Sequence, residues 1–288
     1  MEGDFKIDFI GVGSPRAGTT WLATCLAEHP QICLSTPTET YFFSKDYEFK
    51  KGVQYYKKFF NNCQKDALKG EFGRFYYLDE KAVAKIKESF PEVKILIILR
   101  NPVEQAFSTY NYRKNKGRES AISFEEALKN NNEYCNWGLY YKHLSKFLFN
   151  FKHENIQIIL YEDIFSNPKH HIKKVFQFLR VDENFIPPSL RQKINAAEDI
   201  NFKILAINKV VDKRKSIKKN APGRAIIKAL KFLGINKIVQ LVLRLNTSPQ
   251  QVKISNINKQ ARQKLYNEFK DDIAKLEKLI NKDLSFWK

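Results

Sequence analysis

The six residues Lys94–Leu99, KILIIL, restrict the fold more than any other stretch of the chain. A strand with one face in water alternates apolar and polar residues. This run does not alternate, so both of its faces must be covered, as in a parallel sheet sandwiched between helices. Its surroundings agree. Pro102 stands at the first turn of an expected helix reaching about Lys114. Short apolar runs predict further strands at Phe5–Val12, Gln31–Ser35 and Ile156–Tyr161. Helical spacing predicts helices over Gly18–Glu28, Val53–Phe60, Glu80–Ser89, Gly138–Phe151 and Pro168–Leu179. In the first of these, Trp21, Leu22, Cys25 and Leu26 share one face and Pro30 follows the end. Strands alternating with helices over short connections give an α/β fold, with a P-loop-like central parallel β-sheet flanked by helices.

From about Asn195 onward no strand pattern is visible. That part reads as two or three helices followed by a long terminal one over Ser255–Asn281. Ala221-Pro222-Gly223 marks a loop and not a boundary, so residues 1–288 are expected to form a single domain with a helical, basic C-terminal region.

Between Asn201 and Lys264 there are sixteen Lys/Arg and one acid, Asp212, and the whole chain carries a formal charge of +19. Such an excess suits an anionic partner, and equally a solvated helical face. The four cysteines, Cys25, Cys33, Cys63 and Cys135, form no C-x-x-C pair and have no histidine at zinc spacing, so no metal site is expected. The first residues lack the basic and apolar regions of a secretion signal, and no apolar run approaches the ~20 residues of a membrane span. The expectation is a soluble, reduced, cytoplasmic protein. Its oligomeric state is not legible.

The loop after the first strand reads GVGSPRAGTTWL, Gly11–Leu22. Strand, turn and helix in succession place backbone N–H groups and a helix N-terminus at one point, which suits a phosphate-like anion. Gly13 and Gly18 keep the G-x-x-x-x-G spacing of a nucleotide-binding loop, but Thr19 and Thr20 stand where Lys and Ser/Thr would follow in an NTPase. A dinucleotide loop would need glycine at Arg16. The cation has therefore moved back to Arg16, and the two threonines offer hydroxyls in the first helical turn. A second stretch, LRNPVEQAFSTYNY, follows KILIIL directly. Arg100 falls at the carboxyl end of that strand, where ligands of open α/β sheets gather, and Ser108 lies about two helical turns on. A guanidinium and a hydroxyl so placed could grip one phosphate from two sides.

Together the two stretches resemble the PAPS-dependent sulfotransferase family. Its 5'-phosphosulfate loop, roughly G-x-P/R-K-S/A-G-T-T-x-L, is matched by Gly13-Ser14-Pro15-Arg16-Ala17-Gly18-Thr19-Thr20-Trp21-Leu22. Its 3'-phosphate motif, roughly R-N-P-x-x-R-A-x-S-x-Y, is matched by Arg100-Asn101-Pro102, Ala106, Ser108 and Tyr110. LYEDIFSNP resembles a strand-end Y-E-D segment whose tyrosine, here Tyr161, approaches the adenine, and DIAKLEKLINKDLSFWK resembles the terminal helix of bacterial members.

The resemblance implies sulfuryl transfer from PAPS to a hydroxyl or amine of a small-molecule acceptor. No nucleic-acid partner and no metal cofactor are expected. Arg16, Ala17, Gly18, Thr19, Thr20, Trp21, Arg100, Ser108 and Tyr161 would hold the cosubstrate, with Arg16 in the place of the usual lysine. STPTETYFFS resembles a P-K-E-x-x-F-F segment whose glutamate is the general base, which maps that role to Glu39. His29 is about 16 Å along the helix from Gly18, too far to serve.

Three departures stand out. Thr38 replaces a lysine before Glu39. Gln105 replaces the second arginine of the 3'-phosphate motif, a place that Lys218, Lys219 or Arg224 could fill. GEFGRFYYL resembles a G-E-K-S-x-x-Y-L segment with Arg74 as the stand-in for its lysine. Tyr41, Phe43, Phe75, Tyr76, Trp137 and Tyr140 are candidates to line an acceptor pocket. Two other readings compete: a P-loop kinase or NTPase, which would need magnesium, and a basic nucleic-acid or membrane-surface binder.

Overall fold

The computed structural model describes residues 5–191 and 257–287. Five strands, β1 (Phe9–Gly13), β2 (Ile32–Leu34), β3 (Leu68–Phe72), β4 (Lys94–Leu99) and β5 (Ile156–Leu160), form one sheet in the order β2-β3-β1-β4-β5. Every pairing is parallel. The KILIIL strand is covered on both faces, as its composition requires. Ile95, Ile97 and Leu99 pack into a core with Ile10, Val12, Phe43 and Tyr76, while Leu96 and Ile98 join Phe9, Trp21, Leu26 and Phe176 on the other side.

Helices form the two outer layers: α1 (Thr19–Ala27), α2 (Asp46–Phe49), α3 (Val53–Lys57), α4 (Glu80–Ser89), α5 (Pro102–Asn115), α6 (Phe124–Asn130), α7 (Glu133–Asn136), α8 (Tyr140–Asn150), α9 (Tyr161–Ser166), α10 (Pro168–Leu179) and a C-terminal helix, Lys259–Ile280. The C-terminal helix sends Leu265, Phe269, Ile273 and Leu276 into the same core as β4. It holds α5 through an Arg262–Glu104 ion pair of 2.5 Å. It also caps α8, because Asp272 accepts from the N–H of Tyr141 at 2.8 Å and of Lys142 at 3.1 Å. The helices expected between residues 195 and 256, and Lys218, Lys219 and Arg224 with them, lie outside the described residues.

One strand escaped the sequence pattern. β3 reads LKGEF, with a lysine, a glycine and a glutamate where a strand signal needs apolar residues, yet it lies between β1 and β2. The ring of Phe9 occupies the place of a side chain at Gly70, 2.1 Å from where its Cβ would stand. Glu71 is fully buried. The expected reduced state of the cysteines also needs correction. Cys33 on β2 is bonded to Cys63, while Cys25 and Cys135 are thiols. Spacing alone concealed the pair, because the loop after β2 folds back beside it.

Candidate anion-binding and catalytic site

Strand order creates the site. The chain leaves β1 for the β2 side of the sheet and later returns to place β4 on the other side of β1. The crevice at the carboxyl ends of β1 and β4 is therefore the switch point at which open α/β sheets bind ligands. The register of the two strands shifts between Gly11 and Gly13 just below it. Ser14 anchors the loop there, donating its N–H at 2.8 Å and its hydroxyl at 2.9 Å to the carbonyl of Ile98. Gly18, at φ 92°, caps α1 without a side chain, and the ring of Tyr161 would lie 3.4 Å from any Cβ there. At this positive φ only glycine turns the chain without strain, and the ring would merely contact a Cβ. The N–H groups of Thr19, Thr20 and Trp21 in the first turn have no acceptor within the helix.

The two phosphate motifs, far apart in sequence, touch one another. Arg16 Nε donates to Ser108 Oγ at 3.2 Å. Arg100 Nη1 donates to the Arg16 carbonyl at 3.1 Å. Gln105 Nε2 donates to the Pro15 carbonyl at 3.1 Å. Gln105 is fully buried, so the departure from the family's second arginine has a structural account: its amide fastens α5 to the loop. The Arg16 guanidinium lies over Tyr112 at 4.7 Å, and that of Arg100 over Tyr161 at 4.5 Å. Burial, then the neighbouring charge of Arg100 and more weakly that of Arg74, presses Arg16 below the ordinary arginine value. It remains cationic, and it has every electrostatic reason to receive an anion.

The corner after β4 is held by Asn101. Its side-chain oxygen caps α5 by accepting from Val103 N at 3.0 Å and Glu104 N at 3.3 Å, and its amide donates to the Trp287 carbonyl at 3.0 Å. Its own N–H donates to Glu162 Oε1 at 2.7 Å. Glu162 of the Y-E-D segment thus fastens the residue that follows Arg100. Tyr161, expected at a strand end, opens α9 directly after β5, and its ring lies tilted against Phe165 at 4.5 Å. Among the other sequence candidates, Ala17 and Thr19 are buried in the loop, Thr20 is exposed, and the Trp21 indole is buried with its N–H on the Leu190 carbonyl at 3.3 Å.

Glu39 lies on the β2 side of the same edge. Its Oε1 pairs with Arg74 Nη1 at 3.4 Å, and its Oε2 accepts from Tyr41 OH at 2.9 Å. Arg74 pairs with this carboxylate while its charge also reaches Arg16 in the loop. The five strand ends therefore present Glu39, Arg74, Arg16, Arg100 and Tyr161 in the spatial order of β2, β3, β1, β4 and β5. His29 is not part of this row. It is buried, its Nδ1 accepts from Gln31 N at 3.1 Å, and its Nε2 therefore carries the proton to the Asp182 carbonyl at 3.0 Å. Of the aromatics considered for an acceptor pocket, Phe43, Tyr76 and Tyr140 are core. Tyr41, Phe75 and Trp137 keep accessible faces, with Arg74 over Phe75 at 5.5 Å and Arg113 over Trp137 at 4.9 Å.

Among the described residues no three His, Cys, Asp or Glu side chains converge as a metal ligand set, and no helix is long and apolar enough to cross a membrane. A glycine loop feeding a helix N-terminus, with arginines gathered at the switch point of a parallel sheet, defines a P-loop-like α/β protein. More specifically, the chain belongs to the sulfotransferase family, whose sulfotransferase domain matches residues 6–224.

A sulfotransferase from Alicyclobacillus acidocaldarius shares the fold, with a TM-score of 0.70, 23% identity, and coverage of 98% of this chain and 99% of that one. Among curated relatives, the membrane-associated sulfotransferase kil1 of Dictyostelium discoideum is 29% identical over 42% of this chain and 27% of its own length. Mouse heparan sulfate glucosamine 3-O-sulfotransferase 3B1 is 27% identical over 58% of this chain and 44% of its own. The chain thus spans less than half the length of these two curated relatives.

Proposed function

We propose that this chain moves a sulfuryl group from PAPS to a hydroxyl or amine of a small-molecule acceptor, leaving adenosine 3',5'-bisphosphate. The observation that carries this reading is the meeting of Arg16, Arg100 and Arg74 around one glycine loop, with Glu39 held at its edge. The donor set fits a phosphosulfate: backbone N–H groups at a helix end, two partly buried guanidinium groups, and a tyrosine ring beside the crevice.

PAPS would supply the sulfuryl group. Arg16, Ala17, Gly18, Thr19, Thr20 and the N–H of Trp21 would hold its phosphosulfate side, and Arg100, Ser108 and Tyr161 its nucleotide side. Arg16 keeps a cation where negative charge collects as the acceptor–sulfur bond forms and the sulfur–oxygen bond to phosphate breaks. Its side chain is already fixed by Ser108 and Tyr112, so little reorganisation is needed. Glu39 would take the proton from the acceptor hydroxyl or amine. Arg74 and Tyr41 hold one oxygen each, which fixes the carboxylate in place.

The half-exposed row of Tyr41, Phe75 and Trp137, interleaved with Arg74 and Arg113, suits a ring-bearing acceptor, and the names of the heparan sulfate relatives make saccharides worth testing beside phenols and amines. The Cys33–Cys63 bond favours an oxidising compartment over the cytoplasm expected from sequence.

The test is calorimetry with adenosine 3',5'-bisphosphate on wild type and Arg100→Ala, alongside mass detection of sulfated acceptors in a mixed panel. Binding by wild type, weakened at least tenfold in Arg100→Ala, is expected. No binding by wild type sinks the reading, and ATP turnover that requires magnesium would replace it with the kinase reading.

A further inference from the structure

Behind Glu39 lies a second carboxyl. Glu71 on β3 faces the aromatic core containing Phe43, Tyr56 and Tyr76, with no solvent contact. Thr40, the residue after Glu39, donates its hydroxyl to Glu71 Oε2 at 2.5 Å, and the same hydroxyl accepts from Phe42 N at 3.1 Å. The buried hydroxyls of Tyr56 and Tyr76 lie against this carboxyl, whose Oε1 is left without a bond of good geometry. One residue further along β3, Phe72 N donates to the Thr38 carbonyl at 3.1 Å. The residues on both sides of Glu39 are thus fastened to consecutive positions of one central strand.

A buried carboxyl amid aromatics is costly, and a core of this size had no packing need for one. Leucine would fill the position without the desolvation penalty. What glutamate adds is an acceptor for Thr40 at a fixed height above the sheet. Tyr41, next in the chain, takes a left-handed conformation at φ 58° and folds its hydroxyl back onto Glu39. The direction of that fold is set from the Thr40 side.

We propose that Glu71 is a positioning residue, acting through the Thr40 hydroxyl to hold Glu39 at the sulfuryl-accepting edge of the loop. The inference rests on the reading of Glu39 as the base. Glu71 touches neither substrate, and its role is read in turnover and not in nucleotide affinity.

Three variants test it on the full chain. Thr40→Val keeps the shape of the side chain and removes the hydroxyl. Glu71→Leu removes the acceptor, and Glu71→Gln keeps a carbonyl oxygen for it. Each of the first two is expected to lower kcat at least about tenfold, since displacement of a catalytic group by about 1 Å has effects of that order or larger. Affinity for adenosine 3',5'-bisphosphate should stay within about twofold in Thr40→Val, and Glu71→Gln should recover most of the loss in Glu71→Leu.

Normal kcat in Thr40→Val overturns the proposal, as does a parallel loss of nucleotide affinity, which would mark a general structural role. Glu39→Gln is the separating control. If it keeps normal turnover, the base assignment fails. If it is inactive while Thr40→Val is normal, only the positioning role fails.

Discussion

Arg16 and Ser108, ninety-two residues apart in sequence, are joined by a hydrogen bond of 3.2 Å from guanidinium to hydroxyl. The bond ties the loop after β1 to the helix after β4, so the two halves of the proposed anion site are linked directly. A guanidinium fixed in this way needs less ordering when negative charge develops beside it than a side chain in water.

Removing the hydroxyl should loosen that cation without removing it. Ser108→Ala is expected to lower kcat/KM for PAPS about tenfold, the equivalent of one charged hydrogen bond. Arg16→Lys should retain substantial turnover, and Arg16→Ala should lose on the order of a hundredfold to a thousandfold. Steady-state kinetics on the three variants check the ranking. Near-normal turnover in Arg16→Ala would remove the loop cation from the mechanism.

Glu71 makes stability depend on pH. Burial raises its carboxyl from 4.5 to about 7 in the folded chain. Between those values the folded protein keeps a proton that the unfolded chain has lost, so stability falls as pH rises through this window. The full effect is on the order of 3 kcal/mol. Thermal melts of wild type from pH 4.5 to 8 should show this decline, and Glu71→Gln should flatten it. Equal slopes would show that another group dominates the window.

Asn101 joins the β4 corner to the chain end by capping α5 and donating to the Trp287 carbonyl. Asn101→Ala should destabilise by about 2–3 kcal/mol, combining a lost cap with a buried carbonyl left unpaired. Asn101→Asp keeps the cap and loses the donor, so its urea midpoint should fall between the other two. An alanine variant as stable as wild type would contradict this account.

The Cys33–Cys63 bond closes a loop of thirty residues around the segment that carries Glu39. Reduction, or Cys33→Ser with Cys63→Ser, should destabilise by roughly 3–4 kcal/mol. Alkylation of unreduced, denatured protein followed by intact-mass analysis should label two thiols, Cys25 and Cys135. In the native state Cys25 should resist, because burial pushes its thiol up to about 12. Four labelled thiols without reductant would disprove the bond.

Much of the site was legible in one dimension because its signals are local. KILIIL is apolar at every position on both faces, so burial on both sides followed from composition alone. The loop and its helix are contiguous, and so are Arg100, Asn101 and Pro102. β3 was not legible, since a strand is recognised by apolar side chains and LKGEF has few. Its neighbours β1 and β2 compensate by pairing both of its edges, and the Phe9 ring of β1 fills the space at Gly70.

The row Glu39, Arg74, Arg16, Arg100 and Tyr161 follows strand order, and strand order differs from chain order. Local residue pattern marks most of the strands, loops and helices, β3 excepted. It does not set which strand end lies beside which, because that is fixed by how all the elements share one core. Polarity misleads for the same reason. Glu71 and Gln105 are polar side chains that nothing local marks for the interior, and both are buried with partners across the fold, Thr40 in one case and the Pro15 carbonyl in the other.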